Sequence, residues 1–237
     1  LNAARSTCDF ILKDLNRTYD KDGNFAFSYS KLDRSAVFNA SLLGCRLLAR
    51  VYSFTGEKEL IEEARSAVAF CCKHQQANGA WAYSTYSFHQ WVDNFHTGYN
   101  LECINDYAKF SGDKSFNEYL EKGLKYYLET FFTADGIARY YNNSTYPIDA
   151  HAPAQLMITL HKLGCFNENR SLADRVMNWA IDHMQDSKGY FIYQINKFFT
   201  SRIPYMRWSQ AWMFYAFSNY MAAEQAKAAP KTQKALV

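Results

Sequence analysis

Asn78-Gly79-Ala80-Trp81 closes one charged helical pattern and opens an aromatic-rich loop, and the same punctuation occurs three more times in the chain. It reads Asp22-Gly23-Asn24-Phe25, then Asp135-Gly136-Ile137-Ala138, then Lys188-Gly189-Tyr190-Phe191, with successive glycines 56, 57 and 53 residues apart. A second series, Gly56, Gly112 and Gly164, falls between them at spacings of 56 and 52 residues. Glycine just past a helix end stops the helix, because it adopts the left-handed backbone that other residues resist. Two interleaved series with one period therefore predict two helices per repeat.

The first helix of each repeat is expected at Ala4–Tyr19, Lys58–Gln75, Lys114–Phe132 and Ser171–Gln185. These segments are amphipathic: Leu60, Ala64, Val68 and Cys71-Cys72 recur at steps of three and four, with charges on the other side. They read as an outer ring facing water. The second helix is expected at Val37–Phe54, Phe95–Phe110, Ala154–Leu163 and Trp208–Ala222, apolar around its circumference, as an inner ring buried on most sides. Outer-to-inner connections are long and inner-to-outer turns, such as Thr55-Gly56-Glu57-Lys58, are short. All long loops then emerge at one end, and loops on a rigid scaffold usually carry function.

The fold class predicted is all-α, an (α/α) toroid of helical hairpins with four hairpins in this chain, partial or open. A straight peptide-binding solenoid is the competing architecture. The period is too long for tetratricopeptide or ankyrin repeats, and neither signature occurs. Four hairpins are too few to close such a ring. Residues 1–222 are accordingly expected to be the C-terminal part of a larger toroid, with missing N-terminal hairpins or an oligomer completing it. The start at Leu1 inside an apparent helix points the same way. Residues 223–237, Ala/Lys-rich with one Pro, are expected to be a C-terminal tail.

Bulk composition narrows the partners. Of 237 residues 49% are hydrophobic, enough for a sizeable core, and no run nears the roughly 18 apolar residues of a membrane span. The net charge is +3 with Lys and Arg dispersed, which argues against nucleic acid. Aromatic residues reach 17%, with 18 Tyr and 18 Phe. Most must be packing, but Tyr and Trp in loops also suit sugar recognition. Six Cys stand at positions 8, 45, 71, 72, 103 and 165 without a CxxC pair, as buried free thiols of a reducing, cytoplasmic compartment.

The expected starts of the inner helices align Asn39, His96, His151 and Trp208, with Asp93, Asp149 and Arg207 beside them. Helix N-termini offer free N–H groups and positive partial charge, a setting for anionic or polyhydroxyl ligands. In Trp91–Tyr99, Asp93 would orient His96 as a general acid or base, or would simply cap the following helix. Asp149 and His151 repeat the theme within Tyr146–Pro153, with the same cap alternative. The candidate catalytic residues are His96, Asp93, His151, Asp149 and Tyr141. The candidate substrate-binding residues are Arg207, Trp208, Asn39, Trp91, Tyr146 and Tyr205. Arg207 would grip a carboxylate with two hydrogen bonds, or stack on a neighbouring ring. Tyr140–Asn143 and Tyr193–Lys197 read as sugar-contacting loops or plain loop packing.

No cofactor and no metal are predicted, since no third ligand accompanies the Asp and His pairs. Gln75-Gln76-Ala77-Asn78-Gly79-Ala80-Trp81 resembles the Q-x(3)-G-x-W repeat of terpene cyclases, where it is a structural tie. The Asp-rich catalytic motif of those enzymes has no match. Gly-rich phosphate loops, nucleophile elbows and HExxH motifs are absent from the sequence.

Four segments together resemble the VpsJ-like polysaccharide-biosynthesis proteins of bacterial surface-polysaccharide clusters: Trp91–Leu101, Tyr140–Gln155, Met184–Lys197 and Ile203–Ala216. The resemblance runs to about Met221. It implies a six-hairpin glycosidase-like toroid, a longer N-terminus by one or two hairpins, and a polysaccharide or oligosaccharide ligand. The leading expectation is thus a carbohydrate-active protein, with uronate-containing glycans as the candidate substrates. A lyase or epimerase would use His96 or His151 with Tyr141 or Tyr205 as acid and base, and Arg207 to neutralise the carboxylate. A hydrolase would use Asp93 and Asp149 as two carboxyl groups across a cleft. A non-catalytic glycan-binding or scaffold module is the alternative. A terpene-cyclase relative is the lesser one, since it needs an apolar cavity and these loops are polar.

Overall fold

The structure, a computed structural model, describes residues 1–228. Among the described residues the chain forms eight α-helices: α1 (Asn2–Asp14), α2 (Phe38–Thr55), α3 (Lys58–Lys73), α4 (Asn94–Ser111), α5 (Asn117–Thr130), α6 (His151–Lys162), α7 (Arg170–Met184) and α8 (Trp212–Ala228). Long connections follow the odd-numbered helices and short turns the even-numbered ones, as the glycine series predicts. Gly56 and Gly112 end α2 and α4 in the left-handed conformation, each donating its N–H back to the helix, to Tyr52 and Ala108.

Several boundaries differ from expectation, each for a local reason. The first helix stops at Asp14 instead of Tyr19, because β1 (Arg17–Tyr19) pairs antiparallel with β2 (Phe25–Phe27), Thr18 opposite Ala26. Thr and Tyr favour strand, and the pairing places Phe25 and Phe27 in the core. The third outer helix begins at Asn117 instead of Lys114. Asp113 holds the preceding turn by accepting the Ser115 N–H at 2.9 Å. The third inner helix begins at His151, ahead of Ala154. The fourth is preceded by a π-helical turn at Met206–Ala211, so its α-helical part starts at Trp212. α8 passes the expected boundary at Ala222 and is described to Ala228; the remainder of the expected tail, 229–237, lies outside the described residues.

The chain divides into two compact units, Leu1–Thr130 and the part from Phe131 onward. In the first, α2 packs on α4, with α3 behind α2 and α5 behind α4. In the second, α6 packs on α8, and α7 lies against α6. The outer helices bury one stripe, as in Leu60, Ala64, Ala67, Val68 and Cys71 of α3. Every residue of α6 from His151 to Leu160 is buried. α8 is not enclosed all round, as its composition suggested. It buries Met213, Ala216, Asn219 and Ala223 but exposes Phe214, Tyr215 and Met221.

The turn that decides the architecture is a close joint. Gln75 Nε2 donates to the carbonyl oxygens of Gly79 (3.1 Å) and of Tyr119 on α5 (2.9 Å), while Trp81 Nε1 donates to Cys71 O (2.9 Å). Gly79 has φ +98°, and a Cβ there would sit 2.5 Å from the Lys122 carbonyl oxygen. Only glycine lets the turn approach α5 so closely. Gly136 repeats this in the second unit, with φ +98° and a Cβ position 2.5 Å from the Arg175 carbonyl oxygen on α7. The Gln-Gly-Trp motif is therefore a structural tie between outer helices.

Two inner-helix starts, those of α2 and α6, are also strapped to a long loop. In the first unit Val37 bridges Ser84, and Phe38 N–H donates to Tyr83 O at 3.3 Å. In the second, β3 (Ile148–Asp149), β4 (Gln194–Ile195) and β5 (Thr200–Ser201) form a small antiparallel sheet with Asp149 opposite Gln194. No helix among the described residues is long and apolar enough to cross a membrane.

Candidate functional site

In the first unit the loop before α4 folds back on itself. Tyr83 N–H donates to Trp91 O (3.0 Å) and Ser84 N–H to His89 O (3.3 Å), which brings Tyr83 and Trp91 into a parallel stack at 4.7 Å and 17°. Asp93 then caps α4. One carboxylate oxygen accepts the His96 backbone N–H (2.9 Å) and the other meets His96 Nδ1 (2.7 Å). The cap and the orienting role are one arrangement, because His96 supplies both the backbone and the ring donor.

This bond fixes the ring chemistry. A carboxylate can only accept, so Nδ1 carries the proton and Nε2 is left with its lone pair in the neutral imidazole. Nε2 makes no hydrogen bond among the described residues, and the side chain is partly exposed. The ring lies 4.8 Å from Tyr83 and 5.9 Å from Tyr99. Burial, with Glu102 and Asp93 nearby, pushes the Tyr99 phenol well above its usual range, so it stays neutral. Asn39, the second residue of α2, is buried, and its Oδ1 has no hydrogen-bond partner among the described residues.

In the second unit the Asp and His pair is built differently. Asp149 accepts the His151 backbone N–H (2.8 Å) on one oxygen and Gln194 Nε2 (3.2 Å) on the other, and Asn196 Nδ2 in turn donates to Gln194 Oε1 (3.1 Å). The His151 ring stacks on Trp212 at 4.1 Å and 26°, and the residue is only 3% exposed. Asp149, equally buried, has its carboxyl pushed up to about 6. Loss of water around the charge is the main cause, partly offset by the two N–H donors.

The other predicted residues of this unit lie toward solvent. Tyr205 meets the Tyr193 ring edge-on at 5.1 Å, and Ala150 N–H donates to Tyr193 O (3.1 Å), so Tyr193 adjoins both Tyr205 and the start of α6. Arg207 stacks over exposed Trp208, 4.9 Å from the ring centroid, and forms no ion pair among the described residues. Tyr141 lies beside Tyr140 at 4.5 Å, and Tyr146 is exposed ahead of Pro147, to which it is joined by a cis peptide.

The structure thus brings Trp91, Asp93 and His96 together in one unit, and Asp149 and His151 together in the other. Tyr83 and Trp212 enter these clusters without having been singled out, and Gln194 enters from Tyr193–Lys197 as the partner of Asp149. That partnership could have been found from the β-prone run after Gly189, which pairs with the residues before α6. Among the described residues no three His, Cys, Asp or Glu side chains are grouped to hold a metal ion. All six cysteines are free and five are buried; burial pushes the Cys71 thiol up to about 12, outside the range of a reactive thiolate.

No family model matches the chain, and no curated protein matches its sequence. Solved structures do resemble it. A possible GH105 family member from Salmonella enterica superposes with TM-score 0.71 at 12% identity, covering 94% of this chain and 66% of that one. The unsaturated glucuronyl hydrolase of Bacillus sp. GL1, responsible for glycosaminoglycan degradation, gives 0.68 at 10% identity, covering 95% and 68%. Cellobiose 2-epimerase from Spirochaeta thermophila gives 0.71 at 12% identity, covering 96% and 65%. At such low identity the likeness establishes the fold alone: an (α/α) toroid of helical hairpins, of which this chain spans about two thirds of the neighbours' length.

Proposed function

We propose that this chain belongs to a carbohydrate-active enzyme that modifies uronate-containing surface polysaccharides by proton abstraction, as a lyase or epimerase. The observation that carries the reading is the Asp93–His96 pair: Nδ1 is anchored on a buried carboxylate, and Nε2 has no hydrogen bond among the described residues beside the Tyr83–Trp91 stack. An imidazole held in this tautomer presents the Nε2 lone pair and can act as a general base. A flat aromatic face beside it suits the apolar side of a sugar ring.

In a lyase, His96 Nε2 takes the proton alpha to the uronate carboxylate. The released electron pair forms the 4,5 double bond, and the C4–oxygen bond breaks. A general acid gives its proton to the departing oxygen, and a cation neutralises the carboxylate as charge builds on it. In an epimerase the proton returns to the opposite face instead. Structural neighbours that are a glucuronyl hydrolase and a sugar epimerase support this class. The VpsJ-like segments support a place in polysaccharide biosynthesis, and six free cysteines support a cytoplasmic setting.

A hydrolytic reaction is the second reading, favoured by Asp149, whose carboxyl, pushed up to about 6, can keep a proton to donate. It is weakened at both carboxyls, since the oxygens of Asp93 are engaged by His96 and those of Asp149 by His151 and Gln194. The test is to incubate the protein with a panel of polyuronates and follow the ultraviolet absorbance of the 4,5-unsaturated product, together with C5 configuration by NMR. Turnover lost in His96→Ala supports the reading. Saturable glycan binding with no product, little changed by His96→Ala, would replace it with a non-catalytic glycan-binding module.

A further inference from the structure

The segment after Asp186 is charged in one sense only. No Asp or Glu occurs between Asp186 and Glu224, whereas Lys188, Lys197, Arg202 and Arg207 all do. The structure gathers the same stretch into a projecting hairpin and the turn after it. β4 and β5 are closed at Asn196–Phe199 by a 2.8 Å backbone bond, which puts Lys197 and Phe198 at the tip. Phe198 is 89% exposed, Met206 83%, Phe199 66% and Ile203 52%, with Trp208 exposed just beyond.

Soluble surfaces tolerate scattered apolar side chains, but a run of large ones at a hairpin tip signals a partner. The residue types select which partner. Phe, Ile and Met carry no hydrogen-bonding group and, apart from Phe, no flat face, so they are poorly suited to a glycan. They are suited to entering the acyl region of a bilayer, while Trp settles at the headgroup level and Lys and Arg meet lipid phosphates. The cations are poised accordingly. Lys197 Nζ lies 5.3 Å from the Phe198 ring and Arg207 4.9 Å from Trp208, so each charge travels with an aromatic ring. Among the described residues Arg202 pairs with Asp186 alone, at a loose 3.8 Å.

We propose that the β4–β5 hairpin and the π-helical turn after it form a peripheral docking surface for an anionic lipid bilayer, with Phe198 and Phe199 inserting and Lys197, Arg202 and Arg207 binding phosphate headgroups. The contact is shallow and reversible.

The test is co-flotation of the full chain with vesicles of phosphatidylcholine alone or mixed with phosphatidylglycerol. The expected result is binding to the anionic vesicles, weakened roughly tenfold or more on neutral vesicles and in Lys197→Gln/Arg202→Gln, since each cation near an anionic surface contributes separately. Phe198→Ser/Phe199→Ser should lose binding to both. These side chains are exposed, and an unchanged circular dichroism spectrum checks that the variants fold. In the parent chain, brominated lipid should quench tryptophan fluorescence, and Trp208→Phe should remove that quenching. Equal flotation of the parent and both variants, or no flotation with anionic vesicles, overturns the proposal. So does tight binding of a soluble polyuronate that these substitutions abolish while vesicles stay unbound, which would make the patch a glycan surface.

Discussion

The two units repeat one joint almost atom for atom and differ in the side chains mounted beside it. Gly79 and Gly136 share φ +98° and the same 2.5 Å clearance from a carbonyl of the following outer helix. Asp93 and Asp149 both accept the backbone N–H of a nearby histidine at a helix start. Yet Asp93 also holds the His96 ring, while the His151 ring lies flat on Trp212. The cause is phase. His96 is the third residue of α4 and His151 the first of α6. A two-residue offset turns a side chain by about 200° around a helix of 3.6 residues per turn. The repeat conserves the backbone, and a slip in phase changes what a histidine can do.

The largest expected effect separates the two histidines. His96→Gln should lower turnover on an acidic glycan by about 100- to 10,000-fold, the usual worth of a general base. His151→Phe, which keeps a flat ring against Trp212, should leave turnover within about threefold, because at 3% exposure the ring is out of a substrate's reach. The comparison breaks if the two substitutions cost the same in steady-state kinetics.

Next come the glycines, where the units should agree. Gly79→Ala and Gly136→Ala each force an L-residue into the left-handed region and drive a methyl against a backbone carbonyl. Each should cost about 3 kcal/mol in urea denaturation, from backbone strain and overpacking together. Gly23→Ala, with φ +82° and nothing within 4 Å of its Cβ, should cost about 1 kcal/mol from strain alone. If Gly136 tolerated alanine and Gly79 did not, the joint would not be a true repeat.

The scaffold was legible because helix-stopping glycines recur on a period and their spacing needs no tertiary information. Boundaries failed where a second force intervened. Arg17–Tyr19 has charged-helix spacing but is drawn into a strand by Phe25–Phe27, a contact invisible to periodicity. The candidate residues were legible as types, and the ring partners were not. Aligning His96 with His151 assumed equal helix starts, and the start of α6 depends on the pairing of Asp149 with Gln194, 45 residues away. In the sequence Arg207 is open between clamp and stack, and in the structure it stacks on Trp208.

The smallest effect is the most diagnostic of the second unit. Asp149 has a carboxyl pushed up to about 6 by burial, so the folded state binds its proton more tightly than the unfolded chain does. Its contribution to stability is therefore greatest in acid and falls as pH rises from about 4 to about 6, then stays level, a penalty of about 3 kcal/mol. Asp149→Asn removes that penalty. The amide can still accept the His151 N–H, but its NH2 would face the Gln194 amide donor. Gln194 must flip, and the link from Asn196 is lost at a cost of about 1 kcal/mol. Relative to the parent, the variant should be about 1 kcal/mol less stable at low pH and about 2 kcal/mol more stable above neutrality. The crossing point, measured by urea denaturation across pH, should fall between about 4 and 6. Asp93→Asn should destabilise instead, because one amide oxygen cannot serve both the N–H and the ring of His96. A parallel pH response of the two variants would mean that the carboxylates share one environment, and the contrast between the units would be confined to the rings.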